Sequence, residues 1–578
     1  MLQLFRELKP YRLTVAAVLL MVLLQSLSEL YLPTLMSDII DKGVVEQDIP
    51  YIWKIGGFML LVTLVGAVVS VLASYFSAKA ASGFGRLVRG KVFAHVERFS
   101  LQEFDGLGTA SLITRTTNDI NQVQQVLVMM MRMMVMAPMM CIGGLIMAVS
   151  KDATLSLVLV AVLPILAGAI WLIAGRGIPY FRVMQKKLDR LNLVLRESLT
   201  GIRVIRAFNR IDREKARFDD ANRDVTETAV KVNQIMAFMW PVMMLLINFA
   251  SIAIIWFGGI RINGNHMQVG DLMAFLQYAM QIMFSLMMVS MMFVMVPRAS
   301  ASAVRINEVL NTAPTIEDRP GVSRGADSNP ADGTVEFENV TFRYVGAEQP
   351  ALSGISFRAK PGEVTAIIGG TGSGKSTLLS LIPRFYDPEA GSVRIGGVDV
   401  RDLPQERLRS LIGLVPQKAV LFTGTVRDNI RYGKEDATDE EVLHAAEVAQ
   451  AAEFISGMPE GYDSVLAQGG MNLSGGQKQR LSIARAVVRR PAVYLFDDSF
   501  SALDFKTDAK LRAALRQETS DATVLIVAQR VATVMDADQI LVLDDGKIAG
   551  RGTHRELLQT NAVYREIVAS QLSEEEIA

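Results

Sequence analysis

Six apolar stretches of about 20 residues lie in the first half of this 578-residue chain, and the second half contains none. A stretch of that length crosses the hydrocarbon core of a bilayer as an α-helix. The first stretch is too long for the apolar part of a signal peptide, and five others follow it, so we expect it to stay in the mature protein. The sequence therefore predicts a multi-pass membrane protein whose spans are residues 13–36, 55–77, 126–149, 155–174, 235–258 and 272–295.

The connections between these spans alternate between short and long. Basic residues concentrate in the two long connections, residues 78–125 and 175–234. By the positive-inside rule, the long connections, both termini and the whole second half face the cytoplasm, which predicts a location in the cytoplasmic (inner) membrane of the cell. Residues 187–197 show an amphipathic helical pattern, so each long connection is predicted to be a helical hairpin that extends ~35 Å from the membrane.

Charge and cysteine content limit the possible partners and sites. Residues 1–330 carry a formal net charge of +8 and residues 331–578 carry −8, so the two halves differ in the sign of their charge. The single cysteine, Cys141, excludes an internal disulfide and a cysteine-rich zinc site. Basic residues are not clustered, and nucleic acid is therefore not a predicted partner.

A composition change marks the boundary between the halves. Residues 311–332 are rich in proline, glycine, serine and charge, which is typical of a linker. Beyond them, short β-branched runs alternate with helical segments, as in an α/β domain. The predicted organisation is a cytoplasmic elbow (1–12), a six-helix transmembrane domain (13–310), the linker (311–332) and an α/β domain (333–578).

The α/β domain contains a glycine-rich segment, Gly-Gly-Thr-Gly-Ser-Gly-Lys-Ser at 369–376, between an apolar run and a helical segment. Such glycines let backbone N–H groups surround a polyphosphate, while the lysine balances its charge and the hydroxyl binds Mg²⁺. A glycine-rich turn without a ligand is the alternative, which the strand and helix context disfavours. The predicted nucleotide contacts are Gly369, Gly370, Thr371, Gly372, Ser373, Gly374, Lys375, Ser376 and Thr377.

Two further motifs follow in the same domain. Leu-Ser-Gly-Gly-Gln at 473–477 begins a helical segment, whose N-terminus suits an anion. The apolar run 493–497 ends in Asp497, a suitable Mg²⁺ ligand. Each motif alone is equally well explained as a helix cap or a strand end. Their order after the phosphate loop makes the combination specific.

Together these features resemble an ABC exporter half-transporter over nearly the whole chain. The resemblance implies an α-helical membrane domain fused to an α/β P-loop ABC nucleotide-binding domain, with ATP and Mg²⁺ as cofactors in a lipid bilayer. Tyr344 resembles the aromatic residue that stacks on adenine, and Gln417 resembles the glutamine that contacts Mg²⁺ and senses the membrane domain. The implied metal ligands are Ser376, Gln417 and Asp497. Residues 501–504 resemble the D-loop, and residues 104–119 and 197–208 the stretches leading into two coupling helices.

The chain departs from this family pattern at the catalytic positions. Asp498 replaces the glutamate that orients the attacking water, which draws the carboxylate back by roughly 1.5 Å. A displacement of that size can cost about 10²-fold in rate. Gln529 replaces the histidine that contacts the γ-phosphate and cannot carry a positive charge. A third departure is Ala-Gln-Gly-Gly at 467–470, where exporters usually carry a glutamate. The three departures together indicate a chain that binds ATP without turning it over. The alternative is neutral drift, or an engineered substitution at Asp498.

These departures predict a partner. In the family's dimer, each ATP lies between the phosphate loop of one chain and the Leu-Ser-Gly-Gly-Gln signature of the other. Ser474, Gly475, Gly476 and Gln477 would then serve the catalytic site of a second half-transporter that has both glutamate and histidine, while Asp498 and Gln529 build a degenerate site. The chain thus resembles one subunit of a heterodimeric bacterial multidrug-type exporter. The alternatives are a homodimeric lipid flippase-like exporter and a regulatory ATP-binding subunit without uphill transport.

The predicted cargo is a lipophilic compound, because the spans are rich in methionine. Flexible thioethers adapt to varied apolar ligands, although methionine equally fills gaps between helices. Arg132 in the third span is a charge within the membrane, which lines an aqueous cavity in one interpretation and reaches the cytoplasmic surface in the other.

Overall fold

The computed structural model describes residues 1–319, 330 and 332–571, which fall into two compact units. The first comprises Met1–Glu97 and Thr109–Thr312, and the second comprises Arg98–Gly108 and Ala313–Ala578. The first unit is helical and the second is α/β, which confirms the predicted fold class. Half of the predicted linker, 311–332, lies outside the described residues (320–329 and 331), as do residues 572–578.

The first unit consists of helices of very different lengths, several interrupted by a 3₁₀ or π turn. In chain order they are α1 Leu2–Phe5, a 3₁₀ turn Arg6–Tyr11, α2 Arg12–Asp38, a π turn Ile39–Val44, α3 Ile49–Val96, α5 Thr109–Thr114, a π turn Arg115–Asp119, α6 Ile120–Pro138, a π turn Met139–Gly143, α7 Gly144–Lys151, α8 Ser156–Thr200, α9 Ile202–Ala207, α10 Ile211–Ala237, α11 Met239–Asn263 and α12 Val269–Asn311, with α4 Leu101–Leu107 in the second unit.

Six of these helical segments are long and apolar enough to cross a membrane, as predicted. The 48 residues of α3 extend about 70 Å, more than twice the thickness of a bilayer core of about 30 Å. The chain therefore continues beyond the membrane as helix, which confirms the predicted helical form of the long connections. Large apolar side chains such as Trp53 and Trp171, each 79% exposed, are suited to contact with lipid.

Polar clusters join the two ends of the third span to other helices of this unit. At one end, the buried Asp119 carboxylate accepts hydrogen bonds from Arg305 (2.8 Å to Nε) and Ser302 (2.9 Å). At the other end, Lys151 forms an ion pair with Asp271 at 2.7 Å and contacts Ser37 at 3.2 Å. These clusters hold the spans in register where apolar packing alone is not directional.

The methionines of the spans range from buried to exposed positions. Met140, Met243 and Met283 are buried in the helical core, so they fill gaps between helices. Met134 and Met244 are more than half exposed on the single chain.

The second unit contains a four-stranded antiparallel sheet in the order β2-β1-β4-β5 and a six-stranded sheet in the order β12-β11-β3-β10-β9-β6, in which only β12 pairs antiparallel. The strands are β1 Val335–Phe342, β2 Leu352–Ala359, β3 Val364–Gly369, β4 Ala390–Ile395, β5 Val398–Asp399, β6 Ile412–Val415, β7 Gly424–Thr425, β8 Val465–Leu466, β9 Val493–Asp497, β10 Thr523–Val527, β11 Gln539–Asp544 and β12 Lys547–Gly552.

Helices cover the parallel strands, and the nearly continuous apolar runs of β3, β9, β10 and β11 are buried between them. Besides α4, the helices are α13 Lys375–Leu381, α14 Gln405–Ser410, α15 Val426–Arg431, α16 Asp439–Val448, α17 Ala452–Ser456, α18 Gly475–Val487, α19 Phe505–Glu518, α20 Val531–Val534, α21 His554–Thr560 and α22 Ala562–Ala569, with 3₁₀ turns at Val400–Asp402, Gly461–Asp463 and Gln468–Gly470.

Candidate nucleotide-binding site

The phosphate loop, Gln417, Asp497, Asp498 and Gln529 lie at the carboxyl edge of the parallel sheet. In the strand register, Val527 of β10 is aligned with Asp497 of β9 and with Ile367 of β3. The segments that follow β3, β6, β9 and β10 carry the phosphate loop, Gln417, Asp498 and Gln529 respectively. Ligands of parallel α/β sheets bind at this edge, so the topology brings together residues that are far apart in the sequence.

Two glycines of the phosphate loop, Gly369 and Gly374, lie where a side chain would not fit. Gly374 has a φ of +96°, and a Cβ there would lie 2.7 Å from the carbonyl oxygen of Ala351. Gly369 packs so closely on β11 that a Cβ would lie 2.1 Å from the Leu543 carbonyl oxygen. Backbone N–H groups can therefore face a ligand directly, as the sequence predicts.

Lys375 is buried at the start of α13 and folds back over the loop. Its Nζ donates to the carbonyl oxygens of Gly369 (2.8 Å) and Gly370 (2.6 Å). Burial lowers the pKa of Lys375, and the nearby carboxylates of Asp498 and Asp497 oppose that shift. The ammonium group therefore sits in a partly dehydrated position where an anionic phosphate would stabilise its charge.

Ser376 and Asp497 form a pair of hard oxygen ligands. Ser376 Oγ donates to Asp497 Oδ1 at 2.9 Å, so the hydroxyl and the carboxylate lie close enough to contact the same ion. Burial raises the pKa of Asp497, and the hydrogen bond from Ser376 opposes that shift. Mg²⁺ prefers oxygen ligands and is usually held by one or two protein groups plus substrate phosphates, so these residues fit the ion. When bound, Mg²⁺ would neutralise charge on the phosphates.

Asp498 is held between two amide side chains. Its Oδ2 accepts hydrogen bonds from Gln529 Nε2 at 2.9 Å and from Gln417 Nε2 at 3.3 Å. The backbone of Asp498 is left-handed, with a φ of +46°, and its N–H donates to the Val527 carbonyl oxygen at 2.9 Å. Burial raises the pKa of Asp498, and the hydrogen bond from Gln417 opposes that shift. Two of the three departures from the family pattern, Asp498 and Gln529, are therefore in direct contact.

Tyr344 lies beside the start of α13. Its hydroxyl is 2.9 Å from Thr377 Oγ1, and 40% of the residue is exposed. Its ring meets Phe342 and Tyr386 edge to face, with centroids 4.9 Å and 5.5 Å away. These contacts fix the ring next to the phosphate loop, and the role of Tyr344 in stacking on adenine stays a prediction.

The signature residues form an open helix N-terminus. Ser474 caps α18 through a reciprocal pair of hydrogen bonds with Gln477, at 2.9 Å and 3.3 Å. A Cβ on Gly475 would meet no atom within 4 Å, whereas one on Gly476 would lie 3.1 Å from the Ala502 carbonyl oxygen of the predicted D-loop. Among the described residues, no hydrogen bond joins 474–477 to the phosphate loop of the same chain, so the structure does not bring these two parts of the predicted site together.

The third departure, residues 467–470, forms a tight turn before the signature. Gly469 and Gly470 have φ values of +63° and +65°, and the Gly470 N–H donates to the Ala467 carbonyl oxygen at 2.7 Å. The Ala467 N–H donates to Asn472 Oδ1 at 3.1 Å. The turn is thus anchored to the residues that lead into α18.

Two glutamines that the sequence did not single out position the predicted site. Gln571 forms two hydrogen bonds with the backbone of the loop after β10. Its Nε2 donates to the Gln529 carbonyl oxygen and its Oε1 accepts from the Val531 N–H, both at 2.8 Å. The buried Gln479 of α18 donates to the Pro416 carbonyl oxygen at 3.2 Å, next to Gln417. Neither belongs to a motif, and only the long-range contacts reveal them.

Comparison with known families gives two matches that follow the two halves of the chain. Residues 15–286 match the family described as the ABC transporter transmembrane region. Residues 352–501 match the family described as ABC transporter. The second match includes the phosphate loop, Gln417, the signature and Asp498.

Similar proteins align with this chain over nearly the full length of both sequences. An uncharacterized ABC transporter ATP-binding protein of Mycobacterium tuberculosis is 45% identical over 569 residues, which is 98% of this chain and 97% of that protein. An ATP-dependent lipid A-core flippase of Chromobacterium violaceum is 33% identical over 576 residues, 99% of this chain and 97% of that protein. The solved structure of a bacterial Atm1-family ABC exporter with ATP bound has a TM-score of 0.81 and 27% identity, covering 97% of this chain and 99% of its own.

Proposed function

Since the chain belongs to the ABC transporter family and is an ATP-driven, multi-pass membrane exporter, we propose that it is the degenerate-site subunit of a heterodimer, which binds ATP and hydrolyses it slowly. The observation that carries this proposal is the cluster of Asp498 with Gln417 and Gln529. Asp498 and Gln529, two of the three departures from the family pattern, are in contact, and in this proposal they occupy the position where water would be aligned with the γ-phosphate.

The chemistry of this cluster favours binding over hydrolysis. A general base must reach the attacking water, and the Asp498 carboxylate is shorter than glutamate by one methylene and held at one oxygen by two amides. Gln529 offers a hydrogen bond and no positive charge to the γ-phosphate. Lys375, the loop amides and the pair Ser376–Asp497 are all retained, so the affinity for Mg²⁺ and ATP is expected to survive.

The signature supports a partner subunit in this proposal. The α18 N-terminus is open at Gly475 and is capped by Ser474, so its donors can face an anion supplied by another chain. A partner with glutamate and histidine at the corresponding positions would then hydrolyse ATP against the signature of this chain. The nucleotide-binding half and both termini would lie on the cytoplasmic side.

The proposed cargo is a lipophilic compound moved out of the cell. A second candidate, a homodimeric exporter of lipid, is favoured by the name of the flippase relative. The two candidates differ in whether this chain turns over ATP efficiently without a partner. A regulatory subunit without uphill transport would show ATP binding and no movement of dye in vesicles.

We expect the purified chain alone to hydrolyse ATP about 100-fold more slowly than its complex with the partner half-transporter, because its own sites contain Asp498 and Gln529. The measurement is phosphate release by both preparations in the same lipid nanodiscs. An Asp498→Asn complex, which retains the partner's site, serves as the control and should lose little turnover. Comparable rates for the chain alone and the complex would support the homodimer instead.

A further inference from the structure

The 3₁₀ turn Arg6–Tyr11 packs along the later part of α3 within the first unit. A Cβ on Gly83 would collide with the ring and the hydroxyl oxygen of Tyr11, so the glycine makes room for this tyrosine. Further along α3, Lys91 forms an ion pair with Glu7 at 2.7 Å. The turn is therefore held on α3 near both of its ends.

The contact between Tyr11 and Gly83 lies close to the predicted ends of two spans. The first predicted span begins at residue 13, and the second ends at residue 77. Leu13 is 79% exposed and Tyr75 is 60% exposed, so both side chains are available to lipid. Tyrosine is enriched where the hydrocarbon of a bilayer meets the headgroups. Residues next to Tyr11 are therefore expected to lie at the depth of the lipid headgroups.

Basic side chains on the turn and on the adjoining face of α3 are exposed, and these are Arg6, Lys9, Arg12, Lys79 and Arg86. Lys79 and Arg86 lie one helical turn before and after Gly83, which places them on the same face of α3 as the glycine. Within the part of the chain that the structure describes, none of the five forms an ion pair.

Nearby acidic residues do not compensate this charge. Residues 1–12 include a single acidic residue, Glu7, and it is paired with Lys91. Helix α3 contains no aspartate or glutamate over its 48 residues. The turn and the face of α3 beside it thus present uncompensated positive charge at the membrane surface.

An anionic phospholipid matches this surface in both charge and polarity. Its phosphate would accept hydrogen bonds from the basic side chains and from the Tyr11 hydroxyl, which has no hydrogen-bond partner among the described residues. Its acyl chains would lie against Leu13 and Tyr75, deeper in the bilayer. A zwitterionic lipid carries a cation of its own, which the uncompensated charge disfavours. Clusters of four to eight basic residues beside a span are typical of anionic-lipid binding.

We propose that Arg12, Lys79 and Arg86, grouped around Tyr11, bind the phosphate of one anionic phospholipid in the leaflet that the N-terminus faces. The seat of Tyr11 on Gly83 fixes its hydroxyl between the turn and α3, which distinguishes this site from diffuse attraction to a charged surface. The proposal is independent of whether the nucleotide site of this chain is degenerate.

The test is native mass spectrometry of the full chain in detergent, titrated with phosphatidylglycerol or with phosphatidylcholine of the same acyl chains. We expect phosphatidylglycerol to bind at least about tenfold more tightly. The triple variant Arg12→Gln/Lys79→Gln/Arg86→Gln should lose about 10- to 100-fold of that affinity, because each basic residue near an anionic lipid contributes about fivefold. Its affinity for phosphatidylcholine should change less than about twofold.

Tyr11→Phe tests the hydroxyl alone. This variant keeps the ring on Gly83 and removes one donor, so the affinity for phosphatidylglycerol should fall about 2- to 10-fold. Unchanged affinity in both Tyr11→Phe and the triple variant would overturn the proposal. If the triple variant fails to fold, the single variants Lys79→Gln and Arg86→Gln decide, since unchanged affinity in both would also overturn it.

Arg203, Arg206 and Arg210 provide a matched control for charge. These arginines are exposed and follow α8, whose end lies roughly 40 Å along the helix from the predicted end of the fourth span at residue 174. Replacing all three by glutamine should leave the affinity for phosphatidylglycerol unchanged, and an equal loss in the two triple variants would contradict a localised site. Soluble glycerophosphoglycerol should not displace the lipid, and displacement would show that the site takes free phosphate esters instead.

Discussion

Replacing Asp498 by glutamate and Gln529 by histidine in the same chain is expected to raise its ATP hydrolysis without a partner by about 100-fold. The glutamate extends the carboxylate by roughly 1.5 Å toward the γ-phosphate, and it removes the acceptor that the two amides share. The histidine restores a group that can donate to the γ-phosphate and carry positive charge. Steady-state phosphate release in nanodiscs gives the rate.

The positive φ at position 498 determines which control variant is needed. Its φ of +46° is better tolerated by aspartate than by glutamate, so some of the gain is offset by strain of about 1 kcal/mol. Asp545 is an exposed aspartate with a φ of +42°, and Asp545→Glu makes the same change in the same conformation away from the site. No increase in the double variant would mean that the slow step lies elsewhere in the chain.

Replacing Lys375 by alanine is expected to weaken ATP binding at this chain's site by about 10- to 100-fold, which corresponds to the loss of one hydrogen bond to a charged group, about 1.5–3 kcal/mol. In the proposed heterodimer, transport and turnover at the partner's site should fall as well, because a nucleotide held by this chain would bias the two halves toward their closed arrangement. Nucleotide affinity follows from equilibrium binding and transport from dye accumulation in vesicles.

Lys360 offers a matched lysine outside the site, exposed and 3.7 Å from Glu363. Lys360→Ala should leave both affinity and transport unchanged. If the Lys375→Ala complex loses ATP at this site and still transports at the full rate, ATP bound by this chain has no regulatory effect on the partner.

The local features of the chain could be predicted from the sequence. Length and hydropathy predict the six spans, and the amphipathic pattern near residues 187–197 predicts that the helices continue beyond the membrane. The glycines of the phosphate loop predict a turn that only small residues permit, as seen at Gly374. Each of these follows from interactions between residues close in the sequence.

Contacts between distant residues could not be predicted in this way. Asp498 lies 81 residues from Gln417 and 31 from Gln529, so the sequence identifies each departure and not their shared hydrogen bonds. Tyr386 and Asp105 are separated by 281 residues, and no local sequence pattern predicts the contact between them. Residues 98–108 pack with the second unit through contacts between distant residues, such as Glu103 with Thr315 and Tyr386 with Asp105, and the predicted bounds of the membrane domain, 13–310, stay a prediction.

The identity of the nucleotide on this chain during turnover decides whether the site binds ATP without cleaving it. The complex is photolabelled in steady state with azido-ATP carrying ³²P in either the α or the γ position, and the two subunits are separated before counting. The degenerate-site proposal predicts equal α and γ label on this chain and a loss of γ label on the partner. Retention of α label alone on this chain would show that it holds ADP, and would contradict the proposal.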